Sequence, residues 1–379
     1  MTTLITGGAG FVGRSLVQAL LQDGRRVRVL DSLSAQIHGP EPRLPPELEG
    51  AEFLHGDVRD ADRLATALAG VENVVHLAAE TGVGQSMYEV ERYVDANDRG
   101  TASLLQAVIA TRRPTPVVLT SSRAVYGEGL YSCPRCGEVS PAPRDPDMLR
   151  RAAWDPPCPV CGGAIAPIAT HEDAPTRPGS IYAATKLAQE HLCSIVGNAY
   201  GAPITILRYF NVYGPGQSLS NPYTGILSTF YARAQSGRAI EVYEDGRESR
   251  DFVYIDDVVE ATRRALQHAE GPPPANGQVL NVGSGVPVSI AELAAAMLRA
   301  GHWDVPVRVT GAYRIGDVRH AFADTRRAAR VLGFTAATSL DDGLRQWLAW
   351  ANRGDFQDAT DTALRHLTAR GLYGAADGG

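Results

Sequence analysis

Two hydrophobic periods alternate along the N-terminal third of the chain. The short apolar run "TLIT" (3–6) is followed by glycines and then by "FVGRSLVQALLQDG" (11–24). Its apolar residues recur at helical spacing, and Gly24 supplies a C-terminal stop. The runs "RVRVLD" (26–31), "AEFLHGD" (51–57) and "VENVVHLAA" (71–79) read as three further strands. Helical "NDRGTASLLQAVIATRR" (97–113) leads into a fifth strand, "TPVVLTSS" (115–122). Strands alternating with helices at this spacing predict an α/β fold built on a doubly wound parallel sheet.

The rhythm breaks over 128–178, a stretch rich in Pro and Gly, and returns with the helix "SIYAATKLAQEHLCSIVGNAY" (180–200) and the strand "PITILRYFN" (203–211). The pattern therefore predicts a doubly wound α/β domain over 1–212 with an insert at 130–170. A smaller mixed α/β domain follows over 213–354, then a polar tail over 355–379. Within the tail a helical segment is expected to dock, with frayed final residues. "EGPPPANG" (270–277) reads as a loop, and no internal repeat is visible.

A length of 379 residues, with 44% hydrophobic and 21% charged residues, suits one large domain and a smaller one. The net charge of −6 argues against a nucleic-acid surface. No apolar run is long enough to span a membrane, and the N-terminus lacks the pattern of a signal peptide. The expected location is cytoplasmic.

Four of the five cysteines form two Cys-x-x-Cys pairs, Cys133/Cys136 and Cys158/Cys161, with 21 residues between them. In a reducing compartment this spacing favours a metal over disulfides. "CPRCG" and "CPVCGG" are matched rubredoxin-like knuckles, and four thiolates make a closed tetrahedral site. Structural zinc is the expected occupant, with iron or a redox dithiol as alternatives. Cys193, on a helical pattern, reads as a buried structural thiol.

"TGGAGFVG" (6–13) lies between the first strand and the first helix. Its glycines allow a tight turn and let a pyrophosphate approach the helix N-terminus. Asp31 ends the second strand 18 residues after Gly13. A carboxylate there accepts from a ribose 2′-hydroxyl and repels a 2′-phosphate, favouring NAD over NADP. Asp57 is placed either to accept from the adenine amino group or to cap a helix. In "SIYAATK", Tyr182 and Lys186 are one helical turn apart. A lysine ammonium beside a tyrosine lowers the phenol's pKa towards a usable base, and Ser122 can hydrogen-bond the same substrate hydroxyl.

Together with "GDVRD" (56–60), "HLAA" (76–79), "SSRAVYG" (121–127), "RYFNVYGPGQ" (208–217), "RDFVYIDDV" (250–258), "NVGSG" (281–285) and "GDVRH" (316–320), these motifs run through most of the chain. The sequence resembles the extended short-chain dehydrogenases/reductases of the nucleotide-sugar epimerase/dehydratase family. That resemblance implies a Rossmann domain with bound NAD, a nucleotide-diphosphate sugar held by the second domain, and oxidation at carbon 4 of the sugar. It implies Tyr182 as base, assisted by Ser122 and Lys186. Cofactor contacts are implied at Gly7, Gly10, Phe11, Val12, Asp31, Asp57 and Val58, and again at Leu77, Ala78, Ala79, Asn97, Tyr182, Lys186 and Tyr209. Substrate contacts are implied at Ser86, Arg123, Asn211 and Asn221, and at Tyr243, Arg250, Arg314 and Asp317. A surface ion pair is the competing role for Arg250 and Arg314.

The family's 4,6-dehydratases resemble "TDEVYG" at the end of the fifth strand, and their acidic pair performs the elimination. Here Arg123 and Ala124 stand at those positions, and alanine cannot move a proton. The residues that remain suit a 4-epimerase, an isomerase; a dehydratase or a 4-ketoreductase is the alternative. "TGVGQSMYEV" (81–90) and "GPGQSLSNPYTGIL" (214–227) are similar to the family's dTDP-L-rhamnose 4-epimerases, several of which carry an insert at this position. UDP-hexoses stay open as substrates. A protein that binds NAD without turnover and uses its zinc module for partner recognition is the reading of another class. Pairing of the helices near 98–112 and 183–199, as in the family, predicts a homodimer. Whether the insert covers the sugar pocket or lies at a subunit contact stays open.

Overall fold

The computed structural model describes residues 1–218, 225–271, 278–354 and 360–376, with the backbone alone at 360–363. Seven parallel strands form the main sheet: β1 (Thr2–Thr6), β2 (Arg26–Asp31), β3 (Glu52–His55), β4 (Asn73–His76), β5 (Val117–Ser122), β6 (Ile204–Tyr209) and β7 (Gln278–Val282). Their order is β7-β6-β5-β4-β1-β2-β3. The direction of winding reverses between β1 and β4, and a ligand crevice opens beyond the carboxyl ends of strands at such a point. Thr6 pairs with Leu30 on one side and His76 on the other, while Ser122 pairs with Tyr209. The motif residues thus end their strands at one edge of the sheet.

Side chains alternate across each strand. Val29, Val75, Val118 and Leu207 face one layer, formed by α1 (Phe11–Gln22) and α4 (Ile255–Glu270). Leu30, Val74, Leu119 and Ile206 face the other, formed by α2 (Gly100–Ala110) and α3 (Ile181–Tyr200). Cys193 is 1% exposed in that second layer, the place expected of a structural thiol.

Two elements cross the expected boundary at 212. β7 pairs with β6, and α4 packs on α1, so both return to the nucleotide-binding domain. The physical cause is coverage: without them β6 is an open edge and the apolar stripe of α1 has no partner. The second unit contains a small sheet in which Ser249–Tyr254 is flanked by Asn211–Tyr213, Pro287–Ser289 and His320–Ala321. The described part of the tail is also integrated. Tyr373–Ala375 pairs antiparallel with Ala312–Arg314, and Leu367 is 5% exposed beside Gly84. The insert is a three-stranded antiparallel sheet of Gly137–Val139, Leu130–Cys133 and Ala166–Ile168. No described helix is long and apolar enough to cross a membrane.

Candidate active site

β5 delivers Ser122 to the cleft, and the chain then turns through a short 3-10 helix, Arg123–Tyr126, to Gly127. The Ser122 hydroxyl accepts from the Ala124 N–H at 3.2 Å. Gly127 has φ +65°, and a Cβ there would lie 2.2 Å from the Arg177 carbonyl oxygen, so the turn requires glycine. α3 begins at the Ser180 cap, which accepts from the Ala183 N–H. Tyr182 therefore lies in its first turn and Lys186 one turn later.

Lys186 is 4% exposed, and its ammonium donates to the Thr120 carbonyl of β5 at 2.9 Å. Burial lowers its pKa to about 8 against the opposing charge of Glu190. Burial raises the Tyr182 phenol above its ordinary value, and a hydrogen bond with Ser122 and the nearby Arg123 guanidinium offset this only in part; the lowering expected from Lys186 gives way to desolvation in the cleft. Behind this pair, Glu190 accepts from the Ser121 hydroxyl at 2.5 Å and from Arg208 at 2.6 and 2.9 Å. Sequence reasoning missed Glu190, although its i+4 spacing from Lys186 was a usable signal.

The cleft holds about 1000 Å³ and runs from the glycine turn to Ser122 and Tyr182. Gly7, Gly10, Phe11, Val12, Asp31, Asp57 and Val58 line it. So do Leu77, Ala78, Ala79, Lys186 and Tyr209, and on the substrate side Arg123 and Asn211. Gly10 caps α1 without a side chain, so the first N–H groups of the helix are free to meet an anion. At Gly13 a Cβ would come within 2.5 Å of the Gly7 carbonyl oxygen, which keeps the turn tight. Asp31 accepts from the Ala9 and Leu33 N–H groups at 2.9 and 2.8 Å, holding the strand end beside that turn. These features fit a dinucleotide.

Asp57 stands in the cleft wall, where Arg59 engages both of its oxygens, and Asp60 rather than Asp57 caps the following helix. Two residues stand away from the cleft lining. Asn97 is fully buried behind the wall, accepting from the Glu80 N–H at 2.7 Å and donating to the Glu80 carbonyl and the Thr185 hydroxyl. With its amide occupied, it shapes the wall rather than touching the cleft. Ser86 is also fully buried, because its hydroxyl satisfies the Val83 carbonyl in the short helix Val83–Ser86. It offers nothing to a substrate in this arrangement. Asn221 lies outside the described residues.

Arg250 is 5% exposed and pairs with Asp317 at 2.8 Å, so it is no surface ion pair. Burial acts to raise the Asp317 carboxyl, but Arg250, Arg314 and Arg123 hold it down to about 2. The Arg314 guanidinium lies 4.9 Å from the centre of the Tyr243 ring, whose other neighbour is Tyr373. With Arg144, four cations thus act on one carboxylate beside the cleft.

In the insert, all four cysteine sulfurs lie within 4.8 Å of one another. The Val160 and Cys161 N–H groups point at the Cys158 sulfur, and Gly162 turns the knuckle with φ +70°. Four soft donors at this spacing fit a tetrahedral thiolate site. The other acidic cluster among the described residues, Glu244, Asp245 and Glu248, is filled by the Arg319 guanidinium.

His76 lies 1% exposed at the end of β4, sharing hydrogen bonds with Thr6 at 2.7 Å and Thr101 at 2.9 Å. Burial, then the Lys186 charge, push its pKa down to about 3. Its folded pKa is depressed, so the unfolded chain binds the proton first, and stability falls as pH drops below about 6.5. At pH 5 the loss expected from this group is about 2 kcal/mol. Denaturant titration of wild type and His76→Gln between pH 7 and 5 measures it; equal slopes would refute it.

A family model for the NAD-dependent epimerase/dehydratase family matches residues 3–146 and 160–283, with its gap inside the insert. The chain belongs to this family. The dTDP-L-rhamnose 4-epimerase of Burkholderia thailandensis is 40% identical, with 92% of this chain and 94% of that one aligned. Among solved structures, UDP-glucose 4-epimerase from Thermotoga maritima with UDP-glucose superposes with a TM-score of 0.75 at 27% identity, covering 93% and 99% of the two chains. The Thermus thermophilus UDP-glucose 4-epimerase complex with NAD gives 0.73 at 27% identity, covering 94% and 100%. These solved structures share the overall fold that carries the cleft.

Proposed function

We propose that the protein is an NAD-dependent nucleotide-sugar 4-epimerase. The observation that carries this reading is the convergence of Ser122 and Tyr182, backed by Lys186, beside Ala124 where elimination needs an acid. The glycine turn, Asp31 and the walls at 57–58 and 77–79 hold NAD, which supplies reversible hydride acceptance. Tyr182 takes the proton of the 4-hydroxyl, and Ser122 orients that hydroxyl. The Lys186 ammonium stabilises the phenolate electrostatically. After the 4-keto sugar turns over in the site, its other face would receive the hydride at carbon 4, and Tyr182 returns the proton to the 4-oxygen. Arg123, Asn211, Arg250 and Arg314 bind the diphosphate and sugar, since clustered guanidinium groups match phosphate oxygens. The related rhamnose enzyme supports a dTDP-6-deoxyhexose such as dTDP-L-rhamnose as substrate, with a UDP-hexose as the second candidate.

The four thiolates hold one structural zinc ion. Two chains pair through the outer faces of α2 and α3, where Ile195 is 65% exposed. The enzyme works in the cytoplasm.

Incubation with dTDP-L-rhamnose or UDP-glucose in deuterated water, without added NAD, tests the reaction. The expected product is the 4-isomer without deuterium at carbon 5. Deuterium at that carbon, or formation of a 4-keto-6-deoxy sugar from UDP-glucose, would show elimination and overturn the assignment.

A further inference from the structure

Four charged side chains, Glu128, Arg144, Glu244 and Arg319, meet in the interior with only 1–4% of each exposed. Glu128 follows the catalytic turn, Arg144 lies between the two cysteine pairs, and the other two belong to the second unit. Arg144 contacts Glu128 at 3.1 Å and Glu244 at 2.8 Å, and donates to the Asp317 carbonyl at 3.0 Å. Arg319 closes the ring: its N–H donates to Glu128 at 2.6 Å, and its guanidinium reaches Glu244 at 3.0 Å and the insert's Asp155 at 2.7 Å. Arg250 donates to the Val318 and Arg319 carbonyls and pairs with the Asp317 carboxylate. One short segment, 317–319, is therefore gripped from behind by Arg144 and from the front by Arg250.

Stability alone does not account for this network. Burying several charges has a large desolvation cost, and apolar packing of similar volume commonly does as well. What such a network supplies is a single geometry, because each group is satisfied in only one arrangement. That geometry is the placement of the Asp317 backbone, and so of the carboxylate among Arg123, Arg250 and Arg314.

We propose that Arg144 is a positioning residue for the sugar-nucleotide site, through which the cysteine-bearing insert fixes the Asp317–Arg250 pair. This rests on the reading above that Arg250 and Asp317 face the nucleotide diphosphate. It assigns the insert to the wall of the substrate site of its own subunit.

The test compares wild type with Arg144→Lys and with the triple variant Glu128→Gln, Arg144→Met, Glu244→Gln, in which Arg319 keeps Asp155 and Asp245 as partners. The lysine keeps the charge and one contact, so it remains informative should the triple variant fail to fold. Measured are KM and kcat for the turned-over sugar nucleotide, calorimetric Kd for dTDP and UDP, and bound NAD and zinc. A misplaced binding group far from the reacting atoms weakens binding steeply, so KM and Kd should rise about tenfold or more in the triple variant. Arg144→Lys should fall between it and wild type, with kcat, NAD and zinc content nearly unchanged. Unchanged KM and Kd with only a lower melting temperature would mean a purely structural role and overturn the proposal. A loss confined to kcat would overturn it as well. Wild type that binds neither dTDP nor UDP would refute the underlying reading, a failure distinct from wild-type-like Arg144 variants.

Discussion

Replacing Tyr182 by phenylalanine should lower kcat by about a hundredfold or more, the usual contribution of a positioned proton-transfer group. The substitution removes one oxygen from a side chain in the first turn of α3 and leaves the rest of it in place. Ser122 cannot take over, since an alkoxide has no comparable support there. The Lys186 ammonium is fixed to the Thr120 carbonyl and does not reach into the cleft as a base in its own right. Sugar-nucleotide and NAD affinity should stay within about threefold of wild type, because the phosphate-facing residues are untouched. Single-turnover kinetics and calorimetry on the same preparation measure both quantities. More than a tenth of wild-type turnover in the variant would place the base elsewhere, and a large loss of affinity would make Tyr182 a binding residue.

The parts of the site that were legible in the sequence are those whose chemistry is local. Ser122 ends an apolar run, Tyr182 and Lys186 share one helical face, and the 6–13 glycines sit between a strand and a helix. Each is fixed within a few residues of itself. The unread parts depend on partners far along the chain. Glu128 meets Arg144 16 residues away but the Arg319 N–H 191 residues away, and no period in the sequence announces such a pairing. Asn97 and Ser86 were read from motif positions as ligand contacts. Instead the Asn97 amide is engaged by the Glu80 backbone 17 residues away, and the Ser86 hydroxyl by the Val83 carbonyl within its own short helix. The return of β7 was hidden for a similar reason. Five residues, Gln278–Val282, carry too little pattern to say which of two sheets they join. The tail strand, Tyr373–Ala375, is shorter still, and its pairing with Ala312–Arg314 is decided by an open edge in another part of the molecule.

Metal removal should have the largest effect on the fold, and it should be confined at first to the insert. The insert's buried apolar cluster consists of Tyr131, Cys133, Val139 and Cys158, and two of those are the proposed ligands. Strands of three and four residues with so small a core do not hold together alone. Metal binding must then supply the folding energy, which for structural zinc in small modules is about 10–16 kcal/mol. Elemental analysis should find one zinc per chain. Cys158→Ser, or treatment with a strong chelator, should release it and open 133–163 to protease cleavage that the loaded protein resists. Arg144 and Asp155 both lie within the released segment, so the grip on 317–319 should fail too and sugar-nucleotide binding should weaken with it. Bound NAD should persist, because its cleft is built from the ends of β1, β2, β4 and β5 and needs no residue of the insert. A metal-free protein with all five cysteines freely titratable and 133–163 still protected would show that the four sulfurs are gathered by packing alone.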